Sequence, residues 1–175
     1  MLNFRQAALA AVLALPSLAF AAPSVEVGFS PEGSAQQLVI NVISSAQRSI
    51  RMMAYSFTSP EVMKALLSAQ KRGVDIQIVV DERGNRSKAS QAAMNLVANA
   101  GIALRTDDHY KIQHDKVIIV DGVTTETGSF NYSRAAARNN SENALVVHDD
   151  PALAATFTQH WQSRWEQGTP YSPTW

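Results

Sequence analysis

The sequence contains no cysteine. Disulfide bonds, cysteine nucleophiles and thiolate zinc sites are therefore excluded. The fold must be stabilised by packing alone, and a chain with 46% hydrophobic residues has enough apolar side chains for a substantial core.

The chain also lacks an excess of either charge, with 15 basic and 15 acidic residues. A protein that binds nucleic acid through bulk electrostatics is usually basic. Overall charge therefore argues neither for nor against a polyanionic substrate, and local clusters must decide.

Only one segment, close to the N-terminus, is a long apolar run. Arg5 precedes the run Ala7–Phe20, and Ala19-Phe20-Ala21 supplies the small residues of a signal-peptidase site. The run is short for a membrane anchor, which is the alternative. We therefore predict a secretory signal peptide over residues 1–21, a single domain over 22–175, and a periplasmic or secreted protein.

The rest of the chain alternates between strand-like and helix-like patterns. Asp121-Gly122 is a strong two-residue hairpin turn between two of the strands. We predict strands at 25–29, 50–57, 74–80, 117–120, 123–127 and 144–147, and helices at 34–46, 59–73, 87–99 and 150–166. This order indicates an α/β fold with a mixed β-sheet flanked by helices.

The chemically informative residues lie on and after the predicted hairpin. His114 and Lys116 alternate, so on a strand they project from the same face. Ser129 and Asn131 do the same if their stretch is extended, and the hairpin brings the two pairs together. An imidazole, an ammonium, a hydroxyl and an amide suit a phosphate group, because they supply positive charge, donors and a nucleophile or proton carrier.

These residues match the pattern His-x-Lys-x4-Asp-x6-Gly-Ser-x-Asn, with Asp121 and Gly128 at its remaining fixed positions. In this pattern the chain resembles the phospholipase D superfamily, and among its members the small secreted bacterial endonucleases with one copy of the motif. The resemblance implies a nuclease-like single domain that needs no cofactor or metal ion.

The resemblance also implies a mechanism. In the family one motif histidine attacks phosphorus and forms a phosphohistidine, and a second protonates the leaving oxygen. Here the role of nucleophile or of acid falls on His114, and the phosphate-binding role falls on Lys116, Ser129 and Asn131. Glu142 falls where these nucleases have a carboxylate that hydrogen-bonds the histidine; the alternative is an exposed strand residue.

The sequence has no second complete motif. His109-Tyr110-Lys111 fails because Lys116 stands where the aspartate is required. A single copy implies a homodimer, in which two His114 residues meet across a two-fold axis.

Other motif and loop residues have simpler interpretations. Asp121 is what a hairpin turn demands, so we favour a structural role, and Gly128 indicates a backbone requirement, either a bulge or close approach to the phosphate. The segments 107–109 and 148–150 contain carboxylates and histidines, but we interpret both as loops and predict no metal site.

Basic residues follow the motif at Arg134 and Arg138 and recur in the loop 83–88. They either line a groove that binds a nucleic-acid backbone or lie on a solvated loop and helix face. Tyr55 and Phe57, after the second strand, are candidates for the mouth of the site. Phe157, Trp161 and Trp165 recur at helical spacing and indicate core packing.

We therefore expect a phosphodiesterase, specifically an endonuclease that acts on DNA, with RNA as a further candidate substrate. The first alternative is a phospholipase D or another phosphodiesterase with phospholipid headgroups as its substrate. No amphipathic interfacial segment favours that alternative, and we expect no stable membrane association. A non-catalytic nucleic-acid-binding module is the second alternative, but binding alone would not need His114.

Overall fold

The computed structural model describes residues 22–173, so the predicted signal peptide lies outside the described residues. A mixed sheet runs through the molecule, with helices on both faces, which confirms the predicted fold class. Its strands are β1 (Ser24–Ser30), β2 (Ser49–Ala54), β3 (Asp75–Asp81), β4 (Ala103–Asp107), β5 (Lys116–Val120), β6 (Thr124–Gly128), β7 (Glu142–His148) and β8 (Thr169–Pro170).

Local sequence signals begin and end the helices. Ser59 accepts a hydrogen bond from the backbone N–H of Val62 ahead of the second helix, and Asp150 accepts one from Leu153 ahead of the last. The helices are α1 (Ser34–Ser45), α2 (Pro60–Lys71), α3 (Lys88–Asn99), α4 (Arg134–Arg138) and α5 (Pro151–Gln167), and a short 3-10 turn covers Arg83–Asn85.

The strand order β1-β7-β6-β5-β2-β3-β4-β8 places the predicted hairpin in the middle of the sheet. β2, β3 and β4 run parallel, whereas β5 pairs antiparallel with β2 and places Lys116 opposite Ala54. The hairpin register pairs Val117 with Thr127, so the end of β6 lies beside the start of β5. One end of the sheet therefore collects Ala54, Lys116 and the residues after Gly128.

Alternate strand residues pack into two cores. Met52, Ile78 and Ile118 face the larger core, which α1, α2 and α3 cover. Met53 and Val117 face the other side, where α5 packs Phe157, Trp161 and Trp165 against the sheet as predicted. Full burial of each such side chain stabilises the fold by roughly 1.5–3 kcal/mol.

Several elements differ from the prediction. β4 was not predicted, because Arg105 and Thr106 interrupt its apolar pattern. α4 was not predicted, because it has only five residues. β2 ends at Ala54 and not at Phe57, because the Phe57 N–H bonds the Asn85 side chain at 3.0 Å and the residue pairs with Tyr132 outside the main sheet.

Across residues 22–173, no helix combines the length and the apolar character that are needed to cross a bilayer.

Candidate active site

His114 and Lys116 are in direct contact at the start of β5. The Lys116 Nζ atom donates a hydrogen bond to the backbone carbonyl of His114 at 2.8 Å and lies 3.3 Å from the imidazole Nδ1. An ammonium group only donates, so the second contact requires Nδ1 to be unprotonated. A neutral His114 ring then has its proton on Nε2.

The two side chains differ in exposure. The imidazole of His114 is exposed, whereas Lys116 is 6% exposed. Burial lowers the pKa of Lys116, and the nearby carboxylates of Glu142 and Asp115 act in the opposite direction. A partly desolvated cation beside an open imidazole is suited to an anionic ligand that approaches from solvent.

Ser129 and Asn131 follow the end of β6 and lie in a loop, so they do not share the face of an extended strand. The Ser129 hydroxyl accepts a hydrogen bond from the Asn143 N–H at 3.0 Å, which leaves its own hydrogen free to be donated. The Oδ1 atom of Asn131 is buried and has no hydrogen-bond partner among the described residues. The terminal torsion of this amide is soft, so a ligand can set its orientation.

Gly128 is explained by a close approach of two strands. A Cβ atom at this position would overlap the backbone carbonyl of Asn143 on β7. The structure shows a close approach, but to a neighbouring strand, and the N–H groups of Ser129 and Phe130 both donate to the Asn143 carbonyl at 3.1 Å, as at a bulge. The glycine lets β6 and β7 converge beside Ser129.

Asp121 lies at the opposite end of β5 from His114. Its carboxylate accepts hydrogen bonds from the backbone N–H groups of Gln47, Arg48 and Ser49, at 2.9, 2.8 and 2.8 Å. Burial opposes ionisation here, but these bonds keep the pKa of Asp121 below its usual value. The contacts of Asp121 thus link the hairpin to the start of β2.

Glu142 opens β7 and is half-buried. Within residues 22–173, its carboxylate accepts a hydrogen bond from the side chain of Asn140 at 2.9 Å, and the predicted bond to His114 is not formed. The Nδ1 position of His114 is occupied by Lys116 instead. In the structure, Glu142 therefore acts on the site electrostatically, because its negative charge raises the pKa of Lys116.

Arg134 and Arg138 lie at the two ends of α4, which begins three residues after Asn131. Both side chains are exposed. They are thus on the surface next to the motif loop, where the predicted groove would be.

Tyr55 contacts the catalytic candidates directly. Its ring centroid lies 4.7 Å from that of His114, and Lys116 Nζ lies 5.4 Å from the ring centre. Phe57, the other predicted mouth residue, is fully buried and lies in the core. The signal for Tyr55 was its position directly after β2, but its contact depends on the pairing of β2 with β5.

A buried tyrosine–glutamate pair lies next to the motif loop. Tyr132 donates its hydroxyl hydrogen to the Glu126 carboxyl group at 2.8 Å, and both side chains are fully buried. Burial raises the pKa of Glu126 to about 8 and, together with Glu126, raises that of Tyr132. This pair was not predicted, because nothing in the sequence marks Glu126 as buried.

The two predicted loops do not form a metal centre in the described part of the chain, where no cluster of three potential ligands occurs. Asp107 accepts a hydrogen bond from the His109 N–H at 2.8 Å. His148 contacts Glu26 at 2.8 Å, and Asp150 caps α5.

Known proteins are similar to this chain in sequence and fold. The family described as the PLD-like domain of cardiolipin synthase matches residues 39–165. The structure of Nuc, a phospholipase D family member from Salmonella typhimurium, is 64% identical, covers 86% of this chain and 99% of its own, and superposes with a TM-score of 0.85.

Relatives with other names are also similar. Phospholipase D of Rickettsia conorii is 34% identical over 140 residues, which cover 80% of this chain and 68% of that protein. Human mitochondrial cardiolipin hydrolase is 31% identical over 158 residues, covering 85% and 62% of the two chains. With its strand order, its motif residues and these matches, the chain belongs to the phospholipase D superfamily of phosphodiester hydrolases.

Proposed function

We propose that this hydrolase is a non-specific, metal-independent endonuclease that cleaves DNA, and RNA as a further substrate, through a covalent phosphohistidine. The observation that supports this most is the exposed imidazole of His114 against the buried ammonium of Lys116. The similarity to Nuc of Salmonella typhimurium favours nucleic acid as the substrate.

In the proposed first step, Nε2 of His114 attacks phosphorus and forms a P–N bond. The bond from phosphorus to the leaving oxygen breaks, and a second histidine donates a proton to that oxygen. Lys116, Ser129 and Asn131 bind the other phosphate oxygens. Water, deprotonated by the second histidine, then attacks phosphorus, and the P–N bond breaks.

The attack requires Nε2 of His114 to be unprotonated, so the ring proton must lie on Nδ1. Lys116 must then move from Nδ1 to the phosphate oxygens, which attract its charge. Glu142, which already acts on Lys116 electrostatically, is the carboxylate that would accept the Nδ1 hydrogen. Positive charge from Lys116 and from a protonated histidine replaces the role of a cation.

The second histidine would come from a second copy of the chain. Val25, Val27 and Phe29 project from the face of β1 away from α1 and are 59%, 51% and 55% exposed. α5 covers the middle strands on this face but leaves β1 open. We propose that this apolar face, which ends beside Asn143 and the site, is part of a two-fold interface.

The substrate groove would run past Arg134 and Arg138 on one side and past the basic loop 83–88 on the other. The predicted signal peptide would deliver the enzyme to the periplasm or the exterior. The exposure of the two arginines supports the groove, and the apolar run Ala7–Phe20 supports the export.

Phospholipid is the second candidate substrate. The curated relatives with the names phospholipase D and cardiolipin hydrolase support it, and the proposed bond changes at phosphorus would be the same. A non-catalytic binding module is not supported, because the family is one of hydrolases.

The test compares wild type with His114→Ala on plasmid DNA, phosphatidylcholine vesicles and cardiolipin vesicles, all in excess EDTA. His109→Ala is the matched control, since His109 is also exposed and is followed by a lysine two residues later. We expect EDTA-resistant DNA cleavage by wild type and the control only, with both lipids intact.

The other outcomes are informative. Lipid cleavage without DNA cleavage would leave the mechanism and overturn the substrate. Loss of all activity in EDTA, or full activity of His114→Ala, would contradict the phosphohistidine mechanism.

A further inference from the structure

Tyr55 touches both residues at the centre of the site. It follows Ala54, the residue that pairs with Lys116 across the sheet. Its ring is tilted by 55° to the imidazole of His114 at a centroid distance of 4.7 Å, and Lys116 Nζ lies above the ring at 5.4 Å. Both distances are within the range of aromatic and cation–π contacts.

The tyrosine ring is supported from behind by Gly84. A methyl group at Gly84 would lie 2.9 Å from Cε2 of Tyr55 and 3.1 Å from its carbonyl oxygen. The backbone therefore touches the ring edge with no space for a side chain. The ring has His114 on one side and the main chain of the 83–85 turn on the other.

Buried polar residues fix this arrangement. The carboxylate of Asp81 accepts hydrogen bonds from the N–H of Gly84 at 2.6 Å and from the N–H of Gln113 at 2.7 Å. Asn85 donates to the carbonyl of Tyr55 at 2.7 Å. The support for Tyr55 and the residue before His114 are therefore joined through one carboxylate.

We propose that Tyr55 is a positioning residue, whose ring keeps the imidazole of His114 in the orientation that reaction at phosphorus requires. An exposed histidine otherwise samples several rotamers, and a displacement of about 1 Å can cost about 100-fold in rate. The ring acts by its shape and aromatic surface, and its hydroxyl is not needed. The role rests on the proposed function of His114.

The test compares Tyr55→Leu with Tyr55→Phe on the small diester bis(p-nitrophenyl) phosphate, which does not need the groove. Tyr110→Leu is the control, because it removes a tyrosine whose ring contacts a histidine outside the motif, His109, at 4.8 Å. We expect kcat to fall about tenfold in Tyr55→Leu with KM unchanged, and to stay near wild type in the other two.

A second readout does not depend on turnover. The 15N shifts of the His114 imidazole report which ring nitrogen has the proton. They should change in Tyr55→Leu and stay unchanged in Tyr55→Phe, while those of His148, which contacts Glu26 on β1, stay unchanged in both. Circular dichroism shows whether each variant is folded.

A third variant keeps the proposal testable if Tyr55→Leu fails to fold. Gly84→Ala should lower kcat and change the 15N shifts of His114, because its methyl group would lie 2.9 Å from Cε2 of Tyr55 and push the ring.

Three results would overturn the proposal: an unchanged kcat in Tyr55→Leu, a change in KM alone, or an equal loss in Tyr55→Phe. If His114→Ala is inactive while Tyr55→Leu is normal, only the positioning role fails. If His114→Ala stays active, the proposed function fails first.

Discussion

Tyr132 donates a hydrogen bond to Glu126 at 2.8 Å in a part of the core where neither side chain reaches solvent. The backbone carbonyl of Tyr132 also accepts hydrogen bonds from the N–H groups of Thr58 and Ser59, both at 2.9 Å. The pair therefore joins the segment after β2 to the loop that contains Asn131.

The first prediction is that Glu126 makes stability depend on pH. Its pKa is about 8 in the folded protein and 4.5 ordinarily, so the unfolded chain loses this proton first. The contribution of Glu126 to the free energy of unfolding is fully present below its unfolded-state pKa and is lost as the pH rises to its folded-state pKa. Between these two values the free energy of unfolding falls by about 1.4 kcal/mol per pH unit. Urea unfolding across this window should show the slope in wild type and its loss in Glu126→Gln. An equal slope in both proteins would contradict the prediction.

The second prediction concerns Glu142 and Lys116. The carboxylate raises the pKa of Lys116 against the effect of burial, so Glu142→Gln should lower that pKa further. The ammonium then loses its proton at lower pH, and the alkaline limb of the kcat/KM profile should move to lower pH. Glu166→Gln, an exposed change on α5, is the control. A limb that stays in place or moves upward would count against the electrostatic link.

The third prediction tests the dimer. Val27→Asp puts a charge on the open face of β1, and it should give a monomer that has lost most of its activity. Leu96→Asp changes a residue of equal exposure on α3, 50% against 51%, and it should remain dimeric and active. Sedimentation equilibrium and plasmid cleavage measure the two properties. An active Val27→Asp monomer would exclude a shared site.

The fourth prediction separates binding from chemistry. Arg134→Ala and Arg138→Ala should each weaken DNA binding and reduce the slope of log affinity against log salt by about one. Turnover of the small diester should not change. Lys71→Ala, at the end of α2 and away from the motif loop, should leave the salt slope as it is. If all three variants have the same slope as wild type, the groove does not run past α4.

The residues of the motif could be predicted because their spacing is local. His114 and Lys116 lie on one strand, and the hairpin turn at Asp121-Gly122 brings Ser129 and Asn131 back beside them. Local spacing cannot show the partners that arrive from other strands.

Tyr55 directly follows β2 and Asp81 ends β3, and their places depend on a strand order that the local sequence patterns do not show. The same reason explains Glu142, whose position in the chain could be identified but whose hydrogen-bond partner could not. The five-residue helix with Arg134 and Arg138 was missed because so short a segment has no periodicity to detect.

The double hydrogen bond of Asp81 has a mechanical consequence. Since Gly84 and Gln113 bind the same carboxylate, and Arg83 also donates to the Lys111 carbonyl at 3.3 Å, the 83–85 turn is tied to the segment that leads to His114. The opposite flank has an Asn131 amide oxygen without a partner among residues 22–173 and two exposed arginines. We therefore expect a bound phosphate to reorient the Asn131 side of the site, while His114 keeps its place.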